Sequence, residues 1–163
     1  MANGESILHR QIRILCECGI REFIITTGPF ASQIFDETAD FSECIFHFVH
    51  NGRYEDTNYI YSLYLCRDYL DDDFLSLHGD LVFDKGLVEA ILKDQRKSIC
   101  LYGPHLPLPE KDFKGRIREG RLREVSIHIF DEDCYAFQPL YKLDRKTFAC
   151  WYEKVREFVE AGN

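Results

Sequence analysis

The sequence predicts an α/β fold: a mixed, mainly parallel sheet with helices on both faces and a β-hairpin in the C-terminal half. Three observations predict it. Helix-like and strand-like patterns alternate from Ser6 to Gly103, the order that lays parallel strands beneath covering helices. After Gly103 the loop "PHLPLPEK" is followed by strand patterns and one last helix. The 163 residues, 45% hydrophobic and 29% charged, suffice for a single domain, 1–163, with its own core.

Each element has a local reason. Ser6 to Cys18 reads as a helix, with Ser6 placed to cap it. Ile7, Leu8, Ile12, Leu15 and Cys16 recur at helical spacing, and Gly19 stands where a left-handed residue ends a helix. "EFIITT", Glu22 to Thr27, is a short buried strand stopped by Gly28-Pro29. A weaker helix spans Phe30 to Glu37, and "ECIFHFVH", Glu43 to His50, is the next strand. Asn58 to Leu70 is a helix rich in tyrosine and leucine. "DFLSLHGD" is a strand, Asp84 caps a helix to Asp94, and "KSICLYG" is a strand. "DFKGRIREGRLREVSIHIF" reads as a hairpin turning at Glu119-Gly120. "CYAFQPLYKL" is a further strand, whose Pro139 predicts an edge or a bulge. Asp144 caps the last helix, where Phe148, Trp151, Tyr152, Val155, Phe158 and Val159 form one apolar stripe that Gly162 closes.

The bulk numbers exclude several classes. A formal charge of −8 weighs against a general nucleic-acid binder and against an anionic membrane surface. No apolar run approaches the ~20 residues that span a bilayer. "MANGESILHRQ" lacks the apolar core of a signal peptide. Seven cysteines without a Cys-x-x-Cys read as reduced thiols in a cytoplasmic protein.

The stretch "FLSLHGDLVFDKGLVEAIL" places the carboxylate of Asp80 between two apolar runs. Such a group needs backbone donors, a metal ion or exposure at a strand end. In a parallel sheet ligands sit beyond the C-terminal strand ends, and Gly79-Asp80 falls at one. Asp84 reads as an N-cap rather than a ligand. Nucleotide-binding α/β domains usually open on a strand and a glycine-rich loop. This chain opens on a helix, and its ten glycines contain no Gly-x-Gly pair. Gly115 to Gly120 has phosphate-loop spacing but ends in Arg-Leu inside a hairpin, so it is not read as one. His47 and His50 point to opposite faces of a strand, and Asp71-Asp72-Asp73 is a solvated turn.

Several segments together resemble a known family. "NGESILHRQIRILCECGIREFIITTGPF" is similar to the segment after the signature loop in nucleotidyltransferases that make sugar nucleotides and CDP-linked small molecules. "DTNYIYSLYLCRDYLDDDFLSLHGDLVFD" resembles the Thr-Asn-x-Ile-Tyr-Ser-Leu helix and Gly-Asp strand of the phosphocholine cytidylyltransferase-like branch. That branch also includes enzymes acting on aminoethylphosphonate. "PLPEKDFKGRIREGRLREVS" and "YKLDRKTFACWYEKVREFVEAG" resemble its downstream hairpin and helix. The resemblance runs from Asn3 to Gly162. It departs from the family in lacking the glycine-rich signature loop with its arginine and Pro-Lys, and a further acidic metal ligand near the C-terminal end. The expectation is a domain truncated at both ends.

The resemblance implies a Rossmann-like, nucleotide-diphospho-sugar transferase-like fold. It implies metal-dependent transfer of a nucleotidyl group, CMP from CTP, to a small phosphorylated acceptor such as phosphocholine, a phosphonate or a sugar phosphate. It makes Asp80 the magnesium ligand and sets Thr57, Asn58 and Ser62 beside the base. For Asn58, helix capping and base contact both stand; for Gly28, close ligand approach and a tight turn both stand. Lys114 aligns with a lysine of the acceptor region, and Tyr141 with an acceptor wall whose aromatic face suits a quaternary ammonium; a hairpin lysine and a core tyrosine are the plain readings. This chain alone is expected to turn over negligibly, and an exposed sheet edge to permit a homodimer. A non-catalytic nucleotide-binding or partner-binding module is the alternative. A glycosyltransferase would want an Asp-x-Asp, which "GDLVFD" lacks.

Overall fold

Helix α1 (Ile7–Glu17) starts where its cap residue predicts, with Ser6 Oγ accepting from the His9 N–H at 3.1 Å. Gly19 follows at φ +93°, a conformation that costs a side-chain-bearing residue free energy. This computed structural model describes residues 4–161; Gly162, expected to close the last helix, lies outside the described residues.

The remaining elements follow in chain order: β1 (Glu22–Thr27), α2 (Ala31–Thr38), β2 (Ile45–His50), α3 (Tyr59–Leu65), β3 (Phe74–Leu77) and α4 (Lys85–Lys93). Then come β4 (Ile99–Gly103), β5 (Lys114–Arg118), β6 (Arg121–Ser126), β7 (Cys134–Leu143) and α5 (Arg145–Glu160). The helix expected to reach Leu70 stops at Leu65 and tightens into a 3₁₀ turn over Cys66–Tyr69. Asp84 and Asp144 occupy the N-cap positions of α4 and α5, yet neither carboxylate caps its helix. Asp84 meets Arg10 at 3.4 Å, and Asp144 accepts from Ser98 Oγ at 2.6 Å.

Two sheets result. β1 and β2 pair in parallel, from Glu22 opposite Ile45 to Thr27 opposite His50. In the second sheet β7 runs antiparallel to β3, β4 and β5, and β6 completes a hairpin with β5. β3 and β4 therefore point the same way, as the strand–helix–strand order requires, but β7 lies between them. Parallel strand directions are kept while the hydrogen-bonded pairs of this sheet are antiparallel. Pro139 lies in the hub strand, at a bulge: the β4–β7 register jumps between Cys100 and Leu101 opposite Pro139 and Leu140. The hairpin turns at Glu119 and Gly120, both at positive φ (53° and 67°), as a two-residue turn demands.

Helices cover both faces. One cluster joins Ile12, Ile14 and Leu15 of α1 and Val88 of α4 to Phe23, with Ile25, Leu75 and Leu77 against it. The other joins Cys66, Leu70 and Phe148 to Ile24, Val49, Phe74 and Trp151. β1 and β3 thus feed alternate side chains to the same two clusters without pairing with each other. Among the described residues, no helix is long and apolar enough to cross a membrane.

Ile12, 2% exposed at the centre of the α1 cluster, is expected to lose about 2–5 kcal/mol on Ile12→Ala. Urea unfolding measures it, and a change within 0.5 kcal/mol (roughly the scale of a surface substitution) contradicts this packing.

Candidate functional site

The strands of the parallel pair end in a polar cluster. Thr27, buried at the end of β1, lies 3.4 Å from His50 Nδ1 at the end of β2. Asn51 follows and is itself buried. Its amide donates to Thr57 Oγ1 and to Ser62 Oγ, each at 3.1 Å, and its carbonyl accepts from the Arg53 N–H at 2.8 Å. Thr57 Oγ1 in turn donates to the Arg53 carbonyl. A buried amide with all three partners satisfied fixes the 51–62 segment and sets the start of α3 over the strand ends. Thr57 and Ser62 are thus brought together through a residue that sequence reasoning did not single out. Gly28 lies beside them, with the Tyr54 ring 3.5 Å from where a side chain would start.

Asn58 caps α3, its Oδ1 accepting from the Ile60 N–H at 2.9 Å, and stays exposed. The next residue, Tyr59, packs its ring on His78 at 4.8 Å between centroids and edge-on to Phe113 at 6.4 Å. That contact sets the α3 tip beside the end of β3. There the backbone turns, with the Leu81 N–H donating to the His78 carbonyl, and Asp80 projects as an exposed carboxylate. Gln11, buried on α1, donates from one amide nitrogen to the carbonyls of His78 at 3.0 Å and Leu81 at 2.7 Å. Arg10, one residue earlier, donates to the Phe83 carbonyl. Two consecutive residues of α1 therefore shape the loop that carries Asp80.

Tyr141 on β7 is half-buried, with its ring 5.4 Å from Phe137. Burial pushes its hydroxyl well above the usual tyrosine range, and Tyr59 and Cys100 push the same way. Burial raises Tyr59 too. Both phenols remain neutral donors at physiological pH. Lys114 is differently placed: it is fully buried, and its ammonium donates to the carbonyls of Pro109 (2.6 Å) and Asp112 (3.2 Å) beneath the Phe130 ring. It anchors the proline-rich loop, and that loop brings Phe113 to Tyr59. Among the described residues, the clusters of three metal-capable side chains are Cys16, Glu43, Cys44 and Asp131, Asp133, Cys134. Asp80 therefore stands as a single carboxylate.

No family model matches the chain. An 89-residue stretch is 27% identical to the CMP-5'-(3-aminopropyl)phosphonate synthase of Streptomyces rubellomurinus (strain ATCC 31215), covering 54% of this chain and 14% of that protein. Among solved structures, the inositol-1-phosphate CTP transferase of T. maritima matches with a TM-score of 0.69 at 14% identity, over 88% of this chain and 59% of that one. A protein assigned as glucose-1-phosphate thymidylyltransferase from Bacillus anthracis matches with a TM-score of 0.70 at 18% identity, over 88% and 60%. The fold is that of the nucleotidyltransferases, mixed and Rossmann-like. These likenesses do not single out the phosphocholine branch. The chain spans about 60% of the length of the two solved relatives.

Gln11→Leu strands the Leu81 carbonyl and leaves the His78 carbonyl with only the Leu81 N–H. It is expected to cost about 1–3 kcal/mol and to speed amide exchange at Gly79, Asp80 and Leu81. Chemical unfolding and hydrogen exchange read both; unchanged exchange at those amides contradicts the assigned role of Gln11.

Proposed function

We propose that this chain forms the base- and metal-facing part of a nucleotidyltransferase that moves a nucleotidyl group, CMP from CTP, onto a small phosphorylated acceptor. The observation that carries the reading is the meeting of the α3 tip with the end of β3: Tyr59 lies against His78, and Asp80 follows two residues later. A crevice at the carboxyl ends of strands is where open α/β sheets take ligands.

Asp80 suits magnesium in one way only. A lone exposed carboxylate is no preformed cage, but a small hard ion takes one or two carboxylates and fills its shell with water and phosphate oxygens. The ion is then expected to arrive with the triphosphate, held by Asp80. When bound, it would supply positive charge to the phosphoryl oxygens as the acceptor oxygen attacks the α-phosphorus and pyrophosphate leaves. Thr57, Asn58, Ser62 and Gly28 would border the base, with Asn51 holding Thr57 and Ser62 in register. Tyr141, Tyr59 and Phe113 would form the acceptor wall, and Lys114 would act there through the loop it anchors. The names of the relatives favour a phosphonate, inositol phosphate or sugar phosphate as acceptor, and phosphocholine stays among the candidates. Among the described residues β1 and β2 each keep one unpaired edge, and such an edge is where a second copy would pair to form a homodimer.

The 163 residues hold no Gly-x-Gly cradle for phosphate. Each missing electrostatic element of that kind costs on the order of 10²–10³-fold in rate. The polypeptide alone is therefore expected to bind CTP with Mg²⁺ and to release almost no pyrophosphate with any of these acceptors. Calorimetry should show Asp80→Asn weakening CTP about tenfold with Mg²⁺ and leaving it unchanged without. CTP binding that ignores both Mg²⁺ and Asp80 would sink the reading and favour a non-catalytic binding module. Turnover near 10 s⁻¹, roughly the median for enzymes, would contradict the expected inactivity.

A further inference from the structure

At the opposite end of the parallel pair, three donors of a different kind converge. Cys16, in the last turn of α1, and Cys44, just before β2, hold their sulfurs 3.3 Å apart. The Glu43 carboxylate completes the group, with all three donor atoms within 4.8 Å of one another. Cys16 is buried, Cys44 half-buried and Glu43 exposed. The cluster therefore has a closed floor and an open mouth. It lies at the amino-terminal ends of β1 and β2, whereas Thr27, His50 and the α3 tip lie at the carboxyl ends.

We infer that Cys16, Cys44 and Glu43 form a binding site for a thiophilic d¹⁰ divalent cation, Zn²⁺ or Cd²⁺, tying α1 to β2. Two thiolates bound tetrahedrally at ~2.3 Å from zinc sit about 3.8 Å apart. The sulfurs need to part by about half an ångström to reach that spacing, whereas a disulfide requires them to close to about 2.05 Å. A side-chain rotation of that size leaves the backbone in place. The charges also balance. Two thiolates and a carboxylate around a divalent ion leave one negative charge. The Arg21 guanidinium, whose Nη1 donates to the Cys16 carbonyl, stands beside it. Burial and the neighbouring Cys44 push the Cys16 thiol up to about 12 when the site is empty, so the cation must displace its proton, and binding releases protons. A site of three protein ligands keeps a fourth position for water. Its sulfur donors set it apart from the oxygen chemistry at Asp80.

The test uses the full chain, kept reduced with a phosphine, titrated with Zn²⁺ against a chromophoric chelator and with Cd²⁺ in the ultraviolet. The expected result is one ion per chain, a sulfur-to-cadmium charge-transfer band, proton release in weak buffer and a raised thermal midpoint. Cys16→Ser and Cys44→Ser should abolish the band, and Glu43→Gln should weaken binding on the order of 10-fold. Cys18→Ser, in the same turn but outside the cluster, should keep all four signals and controls for folding. Binding no tighter than free cysteine gives, or a band that survives Cys44→Ser, overturns the proposal. So does finding Cys16 and Cys44 joined as a disulfide that re-forms faster than the metal binds once the reductant is removed.

Discussion

One side chain on the first helix sets the geometry at the end of β3. Gln11 is buried, and its amide bridges the carbonyls of His78 and Leu81, the two ends of the turn that presents Asp80. The carbonyls of this half-buried turn find donors inside the protein. With Gln11 supplying both bonds, the backbone is free to throw Asp80 outward while Leu81 and Phe83 return to the core. Arg10 extends the same restraint to Phe83. The helix that opens the chain is therefore an outer brace of the candidate site as well as a cover for the sheet.

A second restraint, built by Asn51, works in the same manner at the start of α3. It fixes Thr57 and Ser62, and so the tip of α3. Tyr59 then bridges the two halves by packing its ring, tilted, against His78. Aromatic packing joins parts whose positions are set by polar bonds: the polar restraints set orientation, and the rings tie the two halves together. Tyr59 also meets Phe113 edge-on, beside the loop that Lys114 anchors, and its phenol, like that of Tyr141, stays neutral.

What the sequence made legible is local. Ser6, Gly19 and Glu119-Gly120 each report the conformation of their own few residues, and the structure agrees with all three. The order of helices and strands likewise carried the layered α/β architecture. What it did not carry is pairing across distance. Only the pairing of β7 with β3, β4 and β5 shows that Pro139 lies at a bulge in the hub strand. Gln11 looked like an ordinary polar residue on a helix because its partners lie 67 and 70 positions away. Lys114 and Asn51 were similarly opaque, since their burial depends on loops that fold back over them. The position of Asp80 between two apolar runs allowed backbone donors, a metal ion or exposure, and the structure shows it exposed just beyond β3.

The central claim is that a divalent ion and a nucleotide meet between the end of β3 and the tip of α3. Paramagnetic broadening by Mn²⁺ in the presence of CTP tests it directly, amide by amide. The account predicts that signals of Gly79, Asp80 and Leu81 fade first, with Asn58, Tyr59 and Ile60 next, and that CTP is needed for the effect. Broadening centred on Asp131 and Asp133, or equal broadening without nucleotide, would contradict it.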